Sequence, residues 1–396
     1  MIGLRADTVV ACSGAPDDGA PGWVVVDGGR IASVGPEPSR DIPRVDLGDV
    51  QLWPGIIDLH ADSLGRYESP RPGTRIPLSA AVYDFALDAA THGVTRSYLC
   101  VSVGEGPDPA ATFTRAREVV GTVELLDPVL PVAVPIHLRV DVGADNHLAD
   151  ARALLEQFRG RIALLSAMDH TPGRGQYHDT PSWRVAMRAR TGADDQALDA
   201  WLSWLPADPV TVRHRARAVA ALAAEFDLPF ASHDDATPTD AQEAADHGAT
   251  ISEFPLTRGA ADAAHAAGLA VVMGAPNAWR GRSHLTGLSA RDALRAGTLD
   301  ALTSDYHTAA LVRAAVVLAA DEVCPLPTSV HLVTAGPAAA VALDSGRLAT
   351  GRPADLVAVS TTPVPTVVGT WVAGRPTRAA NGLAANLGPD GLGRAR

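Results

Sequence analysis

Short apolar runs alternate with alanine-rich segments through most of the chain. Eight of the apolar runs have the length of buried strands: GIIDLHAD, GVTRSYLC, IHLRVDV, ALLSAMDH, PFASHDD, TISEFP, AVVMGAP and DALTSDY. The segments between them, such as SAAVYDFALDAATHG, have helical character and stop near a glycine or a turn that contains proline. Eight strand and helix units over residues 54–344 predict an α/β fold, a (β/α)8 TIM-type barrel with its functional residues at the carboxyl ends of the strands. The alternative is an open doubly wound sheet, but no GxGxxG turn follows the first strand.

Both ends of the chain have a different pattern, with short strand signals broken by glycine and proline. Asp27, Gly28 and Gly29 mark a hairpin in WVVVDGGRIASVG, and similar short strands return in GRPADLVAVSTTPVPTVVGTWVAGRPT. We therefore predict a β-rich accessory domain that residues 1–53 and 345–380 form together. Residues 381–396, rich in glycine, asparagine and alanine, are expected to form a loose tail.

The composition restricts the class of protein. Hydrophobic residues make up 46% and charged residues 20% of the 396, as in globular enzymes. A formal net charge of −12 argues against a partner that is a nucleic acid or an anionic membrane. The chain has three well-separated cysteines, no recognisable signal peptide and no run of about 20 apolar residues. This pattern predicts a cytoplasmic protein in a reducing compartment. The sequence leaves the oligomeric state open, and a homodimer is compatible with it.

Ionisable residues collect at the ends of the predicted strands. His60 and Asp62, two positions apart, would point to the same side of the first strand. Histidines and carboxylates without nearby cysteines suit divalent zinc, manganese or iron. The predicted metal ligands are His60, Asp62, Asp141, His170, His233 and Asp305.

Two ions would need a bridging group, for which we propose Asp141 or water, and Asp305 would both bind an ion and take a proton from the attacking water. The alternative for His60 is a hydrogen-bonded residue at the end of a strand. Glu253 and Asn277, also at strand ends, are predicted either to contact the substrate or to support the ligands. The sequence does not decide between one ion and two.

These motifs resemble the amidohydrolase superfamily of metal-dependent hydrolases. The resemblance includes HxD on the first strand, histidines on two middle strands, an aspartate on the last strand and the closing GRPADLV. More specifically, LHADSLGRYESPRPG, LLSAMDHTPGRGQY, ASHDDAT, SEFPLT, VMGAPNAWRGRSH and LDALTSDY resemble the ribose 1-methylphosphonate 5-triphosphate diphosphatases of phosphonate catabolism. The resemblance covers nearly the whole chain. It implies release of diphosphate from a ribose 5-triphosphate, with a small phosphorylated molecule as the partner.

Arginines beside the site motifs agree with an anionic substrate, because guanidinium groups bind phosphate oxygens in pairs. The candidates for substrate binding are Arg66, Arg71, Arg139, Arg174, Arg280 and Arg282, with Arg75 further along the first loop. The alternative is that several of them form surface ion pairs. His284 would either protonate the leaving group or cap a loop.

The chain departs from the pattern of that family at three places. Asp141 stands where glutamate is usual. Asp305 is followed by Tyr306, His307 and Thr308. The loop GRSHLTG carries bulky Arg282 and Leu285. These changes leave the exact substrate open. An amidohydrolase or deaminase acting on another small molecule remains the competing function, because a metal-bound hydroxide also attacks carbonyl and amidine carbons. A non-catalytic assembly protein would be expected to lack some of the ligands.

Overall fold

The computed structural model describes residues 1–15, 18–104, 109–143, 145–175, 177, 179–206, 208–282 and 287–379. The predicted tail, residues 381–396, and His284 lie outside the described residues.

The described strands are β1 (Ile2–Ala6), β2 (Thr8–Val9), β3 (Gly22–Asp27), β4 (Arg30–Gly35), β5 (Arg44–Asp46), β6 (Gln51–Pro54), β7 (Ile56–Ala61), β8 (Val94–Val103), β9 (Ile136–Asp141), β10 (Ile162–Met168), β11 (Phe230–His233), β12 (Ile251–Glu253), β13 (Ala270–Gly274), β14 (Ala301–Thr303), β15 (Leu356–Ser360), β16 (Thr366–Val372) and β17 (Arg375–Ala379). The described helices are α1 (Leu64–Glu68), α2 (Leu78–Thr91), α3 (Pro109–Leu126), α4 (His147–Gln157), α5 (Thr180–Thr191), α6 (Asp195–Trp204), α7 (Pro209–Glu225), α8 (Pro238–Asp246), α9 (Arg258–Ala266), α10 (Ala275–Arg280), α11 (Ala290–Arg295), α12 (Ala310–Ala320), α13 (Leu326–His331) and α14 (Ala335–Ala340). A turn of 3-10 helix covers Asp127–Val129.

The central sheet confirms the predicted barrel. Within the described residues, eight parallel strands, β7 to β14, pair in sequence order. The sheet closes between β14 and β7, where the amide of Asp305 donates to the carbonyl of His60 at 2.9 Å and the amide of Asp62 donates to Asp305 at 2.7 Å. Helices lie between successive strands, as the alternation of apolar runs and alanine-rich segments predicts.

Side chains that alternate along the strands divide the core into two layers. Ile57, Leu59, Leu164 and Ile251 belong to a buried cluster inside the barrel, and a larger cluster packs the outer faces of the strands against the helices. Towards the carboxyl ends the buried side chains of the strands become polar, and they include His60, Arg139, Ser166 and Glu253. The barrel therefore holds its ionisable groups at the end where its pocket is expected.

Two further sheets come from the ends of the chain. In the part of the chain that the structure describes, one has the order β4-β3-β1-β5 and the other the order β17-β16-β15-β6-β2. The second sheet joins both termini directly, because β6 pairs with β15 in antiparallel orientation and with β2 in parallel orientation. Leu4, Val24, Leu52, Leu356 and Trp371 pack in their shared core. The exact boundaries at residues 53 and 345 stay a prediction.

None of the described helices is long and apolar enough to cross a membrane.

The packing of α14 against the barrel can be tested at Gly336. A Cβ at this position would lie 2.1 Å from the carbonyl oxygen of Asp300, so an alanine requires the backbone to move. We expect Gly336→Ala to lower the free energy of unfolding by about 1–3 kcal/mol, as overpacking does. Gly121→Ala in α3 is the matched control, because its Cβ would meet only Phe158, at an ordinary 3.7 Å. It should raise stability by about 0.4–1 kcal/mol. Urea unfolding of both variants checks this, and equal effects would contradict the packing described.

Candidate metal centre

The carboxyl ends of the barrel strands surround a cavity of about 290 Å³. Among the described residues, the predicted site side chains that line it are His60, Asp62, Arg139, His170, His233, Asn277, Arg280 and Asp305. The rings of His60 and His233 have their centroids 5.7 Å apart, and Phe254 packs edge-on against both of them. The structure thus brings most of the predicted residues to one place.

A carboxylate lies next to Nδ1 of each histidine in this cavity. Nδ1 of His60 lies 3.2 Å from Oε1 of Glu253, and Nδ1 of His170 lies 2.8 Å from Oδ2 of Asp141. Nδ1 of His233 lies 3.3 Å from Oδ2 of the neighbouring Asp234. Because a carboxylate accepts hydrogen bonds, each Nδ1 is the donor in its contact, and in a neutral ring the lone pair is then on Nε2. A neutral imidazole that binds through Nε2 is a common ligand of divalent metals.

Arg139 places a fixed positive charge within the same cavity. Its Nη1 donates to Oδ2 of Asp62 at 2.8 Å, and its Nη2 lies 3.4 Å from Nε2 of His233. A guanidinium only donates, so this contact independently assigns the lone pair of His233 to Nε2. Burial lowers the pKa of His60 well below its usual range, and the charge of Arg139 lowers it further. His60 is therefore neutral at neutral pH.

Asp305 follows the last barrel strand in a left-handed backbone conformation, with φ of 55°. Burial raises the pKa of its carboxyl group to about 7, and the charge of Asp62 adds to the increase. Asp234 and Phe254, which follow β11 and β12, have similar φ values of 57° and 54°. Such conformations are costly for residues other than glycine and collect at functional sites. Here they redirect the chain immediately after the strands that carry the site.

Asp141 and Glu253 are placed differently from the other predicted residues. Both are fully buried, and neither lines the cavity among the described residues. In the part of the chain that the structure describes, two groups of three side chains have ligand atoms within 4.8 Å of one another: His60, His233 and Glu253, and His60, Cys100 and His137. The predicted bridging carboxylate, Asp141, belongs to neither group. A centre with two ions stays a prediction.

The second of those groups is poorly suited to a metal. The Nδ1 proton of His137 is donated to the carbonyl of Leu59 at 3.0 Å, and its Nε2 accepts from Ser166 at 2.9 Å. Burial lowers the pKa of His137 to about 3, and burial raises the pKa of the Cys100 thiol well above its usual range. His137 is therefore a neutral, fully bonded residue of the core, and Cys100 remains a thiol.

Several predicted substrate contacts lie elsewhere. Arg174 lines a separate cavity of about 970 Å³ between α7 and α8, which meets the first cavity at His233 and Asp234. Nη1 of Arg174 lies 3.5 Å from Oδ2 of Asp169. Arg66 donates to the carbonyl of Tyr306 at 2.8 Å, near the rim. The remaining two, Arg71 and Arg282, are exposed to solvent.

Asn277 has a contact that explains its position without a substrate. Its Oδ1 accepts from the amide of Ala290 at 3.1 Å, and its Nδ2 donates to the carbonyl of Leu288 at 3.4 Å. The side chain thus connects α10 to the segment before α11.

The sequence contained signals for two residues that the prediction missed. Asp234 is part of SHDD, directly beside the predicted ligand His233. His137 shares its strand with Arg139 and Asp141 at a spacing of two residues, which places all three on the inner face of the barrel. Alternation within IHLRVD could therefore have identified His137 as a barrel residue.

A closed parallel barrel with histidines and carboxylates at the carboxyl ends of its strands defines a metal-dependent hydrolase fold. The model of the amidohydrolase family matches residues 78–378, and the chain belongs to this family, whose members generally use divalent metals. The histidines fit such an ion because each Nδ1 lies beside a carboxylate, which leaves Nε2 as the nitrogen that would meet a metal, and at His233 the ion would replace the contact of Nε2 with Arg139.

Curated and solved relatives agree with the family assignment. Over 342 residues the chain is 31% identical to the alpha-D-ribose 1-methylphosphonate 5-triphosphate diphosphatase of Escherichia coli (strain K12). The matched region covers 85% of this chain and 90% of that protein. The N-acetyl-D-glucosamine-6-phosphate deacetylase of Mycobacterium smegmatis has a TM-score of 0.63 at 19% identity and covers 95% of this chain and 99% of its own. The ochratoxinase of A. niger has a TM-score of 0.63 at 15% identity, and the match covers 100% of this chain and 98% of that chain. At such identities the solved structures show the fold alone.

The metal centre can be tested at His233. We expect His233→Ala to weaken the binding of Zn²⁺ to metal-free protein by at least about 100-fold, because losing a ligand should cost more than losing the partner of a ligand. His265→Ala in α9 is the matched control, since this exposed histidine lies away from the cavity. Titration against a chelator of known affinity gives the constants. Equal affinities of the two variants would exclude His233 as a ligand.

Proposed function

We propose that this protein is a metal-dependent diphosphatase that hydrolyses alpha-D-ribose 1-methylphosphonate 5-triphosphate and releases diphosphate. The observation that carries the proposal is the 31% identity, over 85% of the chain, to the E. coli protein of that activity. The buried guanidinium of Arg139 at the centre of the cavity supports it, because a phosphate-bearing substrate needs a fixed cation there.

The residues of the cavity would divide the chemistry between them. His60, His170 and His233 would hold divalent ions, which supply an activated water and neutralise phosphate charge. Asp305 would accept the proton of the attacking water, since a carboxylate near the reacting group acts as a general base. Arg139 would bind an oxygen of the triphosphate chain and stabilise the charge that develops on the leaving diphosphate. Water adds across the P–O–P bridge between the first and second phosphorus atoms and one P–O bond of this bridge breaks, so diphosphate leaves and the 5-phosphate stays on the ribose.

The dimensions of the cavity suit the reacting end of such a substrate. Ligand pockets generally have volumes of about 300–1,000 Å³, and the cavity of about 290 Å³ lies at the lower end of this range. Arg280, at the end of α10, lines the cavity and is exposed. It would contact the part of the substrate that extends towards solvent.

Hydrolysis or deamination of another small molecule is the second candidate. Among the described side chains that line the cavity, Asp62, Asp234 and Asp305 outnumber Arg139 and Arg280. Without metal ions the lining is therefore not positive, and an uncharged amide would meet no electrostatic obstacle there. The identity of the leaving group separates the two candidates.

Product analysis with metal-loaded protein tests the proposal. We expect diphosphate, rather than phosphate or ammonia, from ribose 5-triphosphates that carry a 1-methylphosphonate. Arg139→Ala should lower kcat/KM for this substrate by about 10²–10³, since it removes a fixed cation from the transition state. Arg75→Ala is the matched control and should leave kcat/KM unchanged, because this side chain is 80% exposed. The proposal is wrong if the loaded enzyme releases ammonia from a heterocycle and leaves the triphosphate intact.

Arg139 also contacts Asp62 and His233, so the metal content of Arg139→Ala must be measured in the same preparation. A loss of kcat/KM with unchanged metal content supports a contact with substrate, and a parallel loss of metal would assign Arg139 to the metal centre instead.

A further inference from the structure

Two carboxylates of the site lie behind histidines rather than beside the cavity. Asp141 ends β9 and Glu253 ends β12, and their side chains are 1% and 0% exposed. Among the described residues, His60 and His170 line the cavity whereas Asp141 and Glu253 do not. Each carboxylate therefore reaches the cavity only through its histidine.

The oxygen atoms of Asp141 are both engaged on the far side of His170. Oδ2 lies 2.8 Å from Nδ1 of His170, and Oδ1 accepts from the amide of Gly143 at 2.8 Å. Gly143 leaves room for this orientation of the carboxylate, because a Cβ at this position would lie 2.9 Å from Oδ1. The turn after β9 thus fixes the carboxylate in an orientation that points at His170.

Glu253 has an equivalent position behind His60. Its Oε1 lies 3.2 Å from Nδ1 of His60, and its Oε2 lies 3.8 Å from Nε2 of His137, on the side of the barrel core. Its closeness to His60 and His233 is also compatible with a role as a ligand. The cavity favours the other role, since His60 lines it and Glu253 is absent from the described residues that do.

We propose that Asp141 and Glu253 are positioning residues that act on the metal centre through His170 and His60 and do not bind the ions themselves. A carboxylate that accepts the Nδ1 proton fixes the tautomer and the ring orientation, and it makes Nε2 a stronger donor to a metal. The ions are then held only by side chains that line the cavity. This inference rests on the metal dependence of the proposed function, and it differs from the bridging role that the sequence favoured for Asp141.

The experiment compares Asp141→Asn and Glu253→Gln with the unchanged protein in the absence of substrate. We expect the number of Zn²⁺ ions per chain at saturation to stay the same, and the affinity to fall by about 10- to 100-fold in each variant. Ser166→Ala is the matched control, because it removes a buried hydrogen bond to His137 in the same layer without touching His60 or His170. It should leave metal affinity unchanged.

Two outcomes overturn the proposal. Loss of one ion per chain in Asp141→Asn or Glu253→Gln would make that residue a ligand. An unchanged affinity in both variants would leave only a structural role. If Asp141→Asn does not fold, Gly143→Ala provides the second variant, since it displaces the carboxylate but retains it, and the same fall in affinity at constant stoichiometry is expected.

The result is independent of the substrate, because metal counting and chelator competition need none. Failure of diphosphate release would disprove the proposed function and leave this inference unaffected. A change in the number of Zn²⁺ ions per chain would disprove this inference and leave the proposed function unaffected.

Discussion

The barrel closes between its first and last strands through the buried carboxylate of Asp58. Its Oδ1 accepts from Oγ1 of Thr303 at 2.5 Å, from the amide of Ser304 at 2.9 Å and from the amide of His60 at 3.3 Å. Burial raises the pKa of Asp58, so these donors offset a substantial cost of removing the group from water. The contact joins two strands whose residues are about 245 positions apart in the chain. Because His60 and Asp305 flank this joint, their relative position depends on it.

The same constraint applies to the other buried ionisable groups of the site. A buried ionisable group is tolerated only when hydrogen bonds or an opposite charge compensate it. In this barrel each site histidine has a carboxylate at Nδ1, and Arg139 is held by Asp62 and His233. Each contact that fixes one side chain also fixes its partner, and the contacts form three groups: His60 with Glu253, His170 with Asp141, and Asp62, Arg139, His233 and Asp234 together. Their members come from at least five of the described strands or the residues directly after them.

The sequence predicted the architecture, and it predicted that the candidate site residues lie at the strand ends, because both depend on periodicity and strand order. Apolar runs at regular intervals indicate strands, and parallel strands in a barrel must end on the same side. The depth of a side chain within the barrel does not follow from periodicity, since it depends on the tilt and stagger of each strand. Asp141 and Glu253 were correctly placed at strand ends, but only coordinates show that their carboxylates lie behind His170 and His60. Asn277 differs for a local reason, because α10 begins at Ala275 where an extended strand end was predicted.

Electrostatics connects the occupancy of the metal centre with the choice of substrate. Among the described residues that line the cavity, Asp62 and Asp234 balance Arg139 and Arg280, and Asp305, with a pKa of about 7, adds at most one negative charge, so a single divalent ion makes the lining positive. A triphosphate would then meet a positive cavity only when metal is bound, whereas an uncharged amide would enter with or without it. Metal ions would thus contribute to the binding of the triphosphate as well as to its hydrolysis. Arg139 contributes in a different way, because its positive charge belongs to the protein and stays when the metal leaves. Its ion pair with Asp62 also weakens the repulsion between that carboxylate and the substrate.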